Sequence, residues 1–261
     1  MPATPTSVVR FVLAACLAAT SACSGADAPP RAPDARAAED PSFGESARLT
    51  VSGYARRGRT AHDEALLRAK LMEKAVEDFM KVPTPEAHDH AKAAWRAARD
   101  TFVRAEAFRF AGGPLDTRAD LAPQVDAWPV DASALEALVA DEAALPQITA
   151  PALLELARTR PFPMGFRAIE VILGGTAVAP RSVADFVPPE GAAAPTRRGL
   201  LAAKLSRILI ESLEVIANGW DSERQGSFAQ ALVQGPLDDA FRRALGGAAT
   251  LARDEIVGRK L

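Results

Sequence analysis

"TRRGLLAAKLSRILIESLEVIANGWD", residues 196–221, decides the fold class. Thr196 can cap a helix whose apolar side chains recur every three or four residues. Those positions are Leu201, Leu205, Ile208 or Leu209, Leu213, Ile216 and Trp220. Such a face must be buried against other elements, and an amphipathic helix of this length buries it most simply against further helices.

Working outward, the neighbours repeat the pattern. From about Ser52 to Met80, the residues Leu66, Ala69, Met72, Val76 and Phe79 keep helical spacing. "KVPTP" breaks that run, and Thr84-Pro85-Glu86 reads as cap, first helical residue and dipole partner of a second helix. This helix is expected to reach about Phe110, burying Ala91, Trp95, Ala98, Phe102, Ala105 and Phe108 or Phe110, until Gly112-Gly113-Pro114 stops it. "LDTRADLAPQVDAWPVD" reads as a loop, with Trp128-Pro129 folded back onto the helices. Ser133 or Asp131 caps a third helix ending at Pro146, and Thr149-Ala150-Pro151 opens a fourth. A short helix comes next, from Gly165 to Leu173, closed by Gly174-Gly175. Residues 176–196 read as a long surface loop. Weaker helical stretches at Phe228–Val233 and Leu237–Leu245 complete an all-α, up-and-down bundle with Trp95, Phe102 and Trp220 inside.

Composition agrees. The 261 residues are 48% hydrophobic and 25% charged, ordinary values for a globular chain. Formal net charge is −2, which points to neither nucleic acid nor electrostatic membrane binding.

Residues 1–22 read as a signal peptide: Arg10, a short apolar run, then small residues. The run is shorter than the roughly 20 residues that a membrane span needs. Both cysteines of the chain, Cys16 and Cys23, fall here. "TSAC" ending at Cys23 is similar to a bacterial lipoprotein processing box, which makes Cys23 the expected lipidation site. "LAAC" ending at Cys16 fits the box better, but residues 11–15 are too few for the signal's apolar core. Cleavage near Ala22 or Ala26 without lipidation is the alternative. Residues 23–48, rich in Ala, Pro, Asp and Arg, read as a disordered tether, and residues 49–261 as the folded domain.

Ordinary catalytic motifs are absent from the sequence. His88 and His90 flank Asp89 in "AHDHA", but residues two apart on a helix face apart, so a solvated first turn is the simpler reading than a metal pair. In "RAEAFRFAGG", Glu106 and Arg109 lie three apart among aromatics. They form either a partly exposed pair of small value or a buried one kept for a site. In "GFRAIEVILGG", Arg167 and Glu170 share a helix face in the same way.

Several blocks together resemble one family. "AAWRAARDTFVRAEAFRFAGGPLD", "AWPVD", "GFRAIEVILGG", "ADFVPP", "TRRGLLAAKLSRILIESLEVIANGWD" and "ARDEIVGRKL" occur in the order of the imelysin-like proteins. That family is also called the insulin-cleaving membrane protease or iron-regulated protein A family, peptidase family M75. The resemblance runs from about residue 50 to 261. It implies a bacterial envelope protein of two helical bundles, with a site between them built on a Gly-x-His-x-x-Glu motif. By position, Gly165 is the motif glycine and Glu170 its glutamate, while Arg167 stands where the histidine belongs. Guanidinium stays protonated and has no lone pair to give a metal, so the metal chemistry is expected to be altered. Relatives also run on past the segment that "DEIVGRKL" resembles, so the second bundle is expected to be short or completed differently.

Together, these features imply a non-enzymatic binding protein at the periplasmic face of the outer membrane. Its expected partners are a lipid anchor and proteins of iron uptake. Glu106, Arg109, Gly165, Arg167 and Glu170 are expected at its binding site. Iron or another divalent metal at Glu170 is the cofactor that the resemblance leaves open. Two rivals stand beside it: a structural lipoprotein whose site has become a salt-bridged core, and an M75-type metallopeptidase. Arg167 is expected to meet Glu170 and, from another helix, Glu106, with weak or no divalent-metal binding.

Overall fold

The computed structural model describes residues 41–141, 149–190 and 195–260. The signal peptide, Cys16, Cys23 and most of the expected tether lie outside them. So do residues 142–148, which hold the expected end of the third helix.

The first helix, α1 (Pro41–Lys81), begins eight residues before the boundary expected at 49. Its buried positions explain its length. Val51, Gly58, Ala65, Met72 and Phe79 recur in steps of seven, as do Ala55, His62, Ala69 and Val76. A double seam at that period keeps one face against its neighbours for the whole helix. Thr84 accepts a hydrogen bond from the Ala87 N–H and caps α2 (Pro85–Ala105), which folds back along α1. Trp95 on α2 is half-buried rather than enclosed, with its indole N–H donating to the Phe166 carbonyl at 2.8 Å. It bonds the backbone of a neighbouring helix while one edge stays wet.

α2 ends five residues before Phe110. A 3-10 turn, Glu106–Phe108, leads into Phe110 at φ 64° and Gly112 at φ 83°. The Asp116 carboxylate holds this reversal by accepting the N–H groups of Phe110, Gly112 and Gly113 at 2.9–3.0 Å. Three local bonds to one carboxylate outcompete another helical turn. The expected loop beyond it contains α3 (Pro114–Thr117) and α4 (Leu121–Asp126), whose Leu121 and Val125 are buried. Trp128 does not fold back onto the helices; it is 76% exposed. Asp131 caps α5 (Ala132–Ala140), and Thr149 caps α6 (Ala150–Thr159).

α7 (Gly165–Gly174) is followed by a short antiparallel pair, β1 (Gly175–Thr176) and β2 (Ala179–Pro180). A 3-10 turn, Val183–Phe186, then buries Phe186, so the expected surface loop is in part ordered and anchored. α8 (Arg197–Gly219) runs from its Thr196 cap through the middle of the molecule. Its expected apolar face is buried in full, and Ala202, Ser206, Ile210 and Ala217 are buried as well. A helix covered nearly all round is a central one, and α8 packs on α1, α7, α4 and α6. Gly58 lets Trp220 lie against α1, since a Cβ there would stand 2.4 Å from the indole. α9 (Phe228–Gln234) and α10 (Leu237–Thr250) form a small second core with Val51 and Ala55, and a π-helical segment, Leu251–Lys260, comes last. The architecture is an all-α bundle with one two-stranded sheet among the described residues. No helix among those residues is long and apolar enough to cross a membrane.

Candidate functional site

Gly165 opens α7 at φ 75°, and a Cβ there would stand 2.0 Å from the Val125 carbonyl oxygen. Only glycine tolerates both the left-handed backbone and that approach. The contact is a β-bridge between Gly165 and Asp126. It fixes the end of α4 against the start of α7 and sets the Asp126 carboxylate beside Arg167. The motif glycine therefore has a structural task that is independent of any metal.

Around this contact opens a cleft of about 750 Å³. Its walls come from the end of α2, from α4, from the 127–131 and 161–163 loops, and from the first turn of α7. Arg99, Arg109 and Arg167 supply positive charge, and Glu106, Asp126 and Asp131 negative charge. Phe102, Leu115, Val125 and Phe162 give it apolar surface, with Trp128 at the rim. Arg99 donates to Asp126 at 2.8 Å, while Arg109 meets Glu106 at 3.4 Å. Arg167 meets Asp126 at 3.7 Å and Glu170 at 3.5 Å. Contacts beyond about 3.2 Å are poor hydrogen bonds. Correspondingly, Arg99 Nε and Nη1, Arg109 Nε and Arg167 Nε are buried with no hydrogen-bond partner among the described residues, and Glu106 Oε2 and Asp126 Oδ1 make no hydrogen bond there either. Each guanidinium also lies over an aromatic ring: Arg109 over Phe110 at 4.7 Å, Arg167 over Trp128 at 5.4 Å and Arg99 over Phe166 at 6.0 Å.

Of the residues expected to form the site, Glu106, Arg109 and Arg167 line this cleft. Gly165 shapes it from behind. Glu170 lines a separate depression of about 200 Å³ with Lys92, Trp95 and Arg96. The interhelical partner of Arg167 is Asp126 rather than Glu106, because the Gly165 bridge brings the end of α4 to it while Glu106 pairs with Arg109. Arg99, Asp126 and Trp128 escape a reading of the sequence as site residues. Arg99 lies one turn before Val103 in an ordinary charged helix pattern, and Asp126 and Trp128 fall in an expected loop.

The residues present do not suit a divalent ion at this place. Glu170 is its only motif carboxylate, Arg167 beside it would repel a cation, and no group of three or more His, Cys, Asp or Glu that could hold a metal occurs among the described residues. His88 and His90 do not converge. His88 is buried, stacks on Phe79 and donates to the Leu173 carbonyl at 2.8 Å, so it is not part of a solvated turn; His90 is exposed. His62 is also interior, stacked on Trp220 and donating to the Gly58 carbonyl at 2.7 Å. Burial pushes its pKa down to about 4 despite that bond and the nearby Asp63 and Asp116 charges.

The family model for imelysin, peptidase M75, matches residues 58–261. Among solved structures, the chain is similar to an imelysin-like protein from Psychrobacter arcticum 273-4, at TM-score 0.59 and 16% identity over 80% of this chain and 60% of that one. It is also similar to a protein described as a putative iron-regulated protein A precursor from Parabacteroides distasonis ATCC 8503, at TM-score 0.55 and 21% identity over 78% of this chain and 55% of that one. The chain thus spans between 55% and 60% of the length of these two relatives. No curated protein matches it.

Proposed function

The chain belongs to the imelysin family, and from that membership we propose a non-enzymatic binding protein of the bacterial cell envelope that takes a small ligand into the Arg99–Arg109–Arg167 cleft. One observation carries this: the position of the motif histidine holds an arginine, and that arginine lines an open cleft beside two others. A metallopeptidase needs a metal with an open coordination position and a polarised water. Arg167 opposes both by charge. The place in iron uptake rests on the relative described as an iron-regulated protein A precursor. The lipid anchor at Cys23 and the outer-membrane site rest on the sequence around that cysteine.

A structural lipoprotein with a degenerate site is the second reading, favoured by the 2.8 Å Arg99–Asp126 pair. The open volume next to that pair favours a ligand. Two measurements test the proposal. Elemental analysis of chelator-free protein should find no stoichiometric iron or zinc in the wild type and more in Arg167→His; stoichiometric metal bound through Glu170 in the wild type would restore the metal site. Cys23→Ala should move the protein from the membrane to the soluble envelope fraction; release by Cys16→Ala instead would place the lipid on the other cysteine.

A further inference from the structure

Starting from that ligand cleft, we infer that its ligand is a small organic oxyanion, a carboxylate or phosphate carried on a flat apolar body. The charge pattern comes first. Each carboxylate of the cleft already has a cationic or backbone partner, although Glu106 Oε2 and Asp126 Oδ1 make no hydrogen bond of their own among the described residues. Asp126 holds Arg99 and Arg167, Glu106 holds Arg109, and Asp131 accepts the Ser133 and Ala134 N–H groups at the start of α5. The guanidiniums are not saturated in return. Arg99 Nε and Nη1, Arg109 Nε and Arg167 Nε are buried and make no hydrogen bond among the described residues, Arg167 Nε standing 3.7 Å from Asp126, beyond bonding distance.

A buried donor without an acceptor is costly, and native structures keep few of them. Here they gather on three side chains around one opening. A bidentate oxyanion that enters the cleft, with a small turn of a guanidinium to meet it, supplies the missing acceptors. Two parallel N–H···O bonds are the geometry that arginine offers to carboxylate and phosphate. A cation would face three guanidiniums of its own sign and would have to compete with them and with the α5 cap for Glu106, Asp126 and Asp131, and a neutral alcohol would satisfy one donor at most.

The body of the ligand is set by the walls. Arg109, Arg167 and Arg99 each rest on a ring, which holds the guanidinium planes ready before a ligand arrives. Trp128 stands at the rim, 76% exposed, with Phe162 and Leu115 lining the interior. A large exposed indole next to a cleft offers a stacking face for a flat group. With about 750 Å³ to fill, the cleft takes an aromatic acid rather than a bare inorganic ion.

The test uses intact mature protein and four probes that share one ring: phenylacetate, phenyl phosphate, 2-phenylethanol and 2-phenylethylamine. Calorimetry and tryptophan fluorescence, with Trp128→Ala to identify the reporting indole, read binding. At least one of the two anions should bind saturably, and the alcohol and amine should bind at least about tenfold more weakly, the worth of a charged hydrogen-bond pair. The ranking of the two anions separates carboxylate from phosphate. Arg167→Gln should weaken the anion by about tenfold, and Trp128→Ala by about threefold. Both side chains are partly or largely exposed, so both variants should fold. Equal or tighter binding of the amine or the alcohol at the same place would overturn the oxyanion but leave a ligand cleft. Anion binding that neither substitution weakens would place the oxyanion elsewhere. Silence from all four probes would overturn both the oxyanion and the ligand cleft.

Discussion

Two arginine–carboxylate clusters in this molecule look alike in composition and differ in geometry. In the first, Arg198 on α8 meets Glu136 on α5 through two parallel bonds of 2.8 and 2.6 Å, and Arg181 adds a contact of 2.8 Å to the same carboxylate. Asp185 accepts the Ser182 N–H and meets Arg181 at a longer 3.4 Å, and Arg181 Nε makes no hydrogen bond among the described residues, so the tight fork is that of Arg198. In the second, around the cleft, Arg99 keeps a 2.8 Å bond to Asp126, but the contacts of Arg109 and Arg167 are 3.4–3.7 Å long and four guanidinium nitrogens lack acceptors among the described residues. Arg198 is pressed into the protein, its side chain 9% exposed, whereas the cleft arginines border open volume. A guanidinium that has found its fork-shaped partner ties elements together. One left with spare donors beside a cavity is arranged for something that comes from outside.

The largest effect should come from removing the contact that builds the cleft. Gly165→Ala forces a Cβ into the Val125 carbonyl and a side chain into left-handed backbone, and should cost about 4–5 kcal/mol in urea unfolding. A loss below about 1 kcal/mol would mean that α4 and α7 part easily, and that Asp126 is not fixed beside Arg167. Next comes the first cluster. Glu136→Ala strands Arg198 in the interior and should cost about 3 kcal/mol, the low end for a broken buried pair because Glu136 is itself 37% exposed. If it costs no more than a surface pair, the contrast between the clusters fails.

Acid should separate the two regions further. Arg198 hydrogen bonds hold the Glu136 carboxyl below its usual range. The stability it contributes is present above the unfolded pKa and is lost as pH falls through the lower folded value. His62 is the background to subtract. Its folded pKa of about 4 lies below the ordinary histidine value of 6.5, so the unfolded chain binds the proton more readily between those pH values. Falling pH should therefore remove up to about 3 kcal/mol across that window. His62→Phe should flatten the upper part of the curve, and Glu136→Gln the part below it. A stability curve unchanged by His62→Phe between pH 6.5 and 4 would show that His62 titrates equally in both states.

Arg167→Ala should have the smallest effect, within about 1 kcal/mol, since its carboxylate contacts are long and its side chain is 37% exposed. A loss comparable to that of Glu136→Ala would make Arg167 a structural clamp and favour the degenerate-site reading over ligand binding.

The helices are legible in one dimension, because apolar side chains every three or four residues, Thr84, Thr149 and Thr196 as caps, and Pro and Gly breaks are local signals that need no partner. The central place of α8 shows only in the burial of Ala202, Ser206, Ile210 and Ala217 on its other faces. Glu106, Arg109 and Arg167, which line the cleft, stand out in the sequence too: an ionic pair among aromatics and a guanidinium at a motif position are visible without a fold. The rest is not. Phe110 leaves the helix because Asp116, six residues on, captures its N–H. Trp128 stays outside because the 127–131 segment rims a cleft instead of covering a helix. Asp126 is the partner of Arg167, and Glu170 turns away from the cleft, because a β-bridge at Gly165 joins residues 39 positions apart. Helix formation is written in neighbours within one turn; which carboxylate an arginine meets depends on where two distant backbones touch, and only the folded chain decides that.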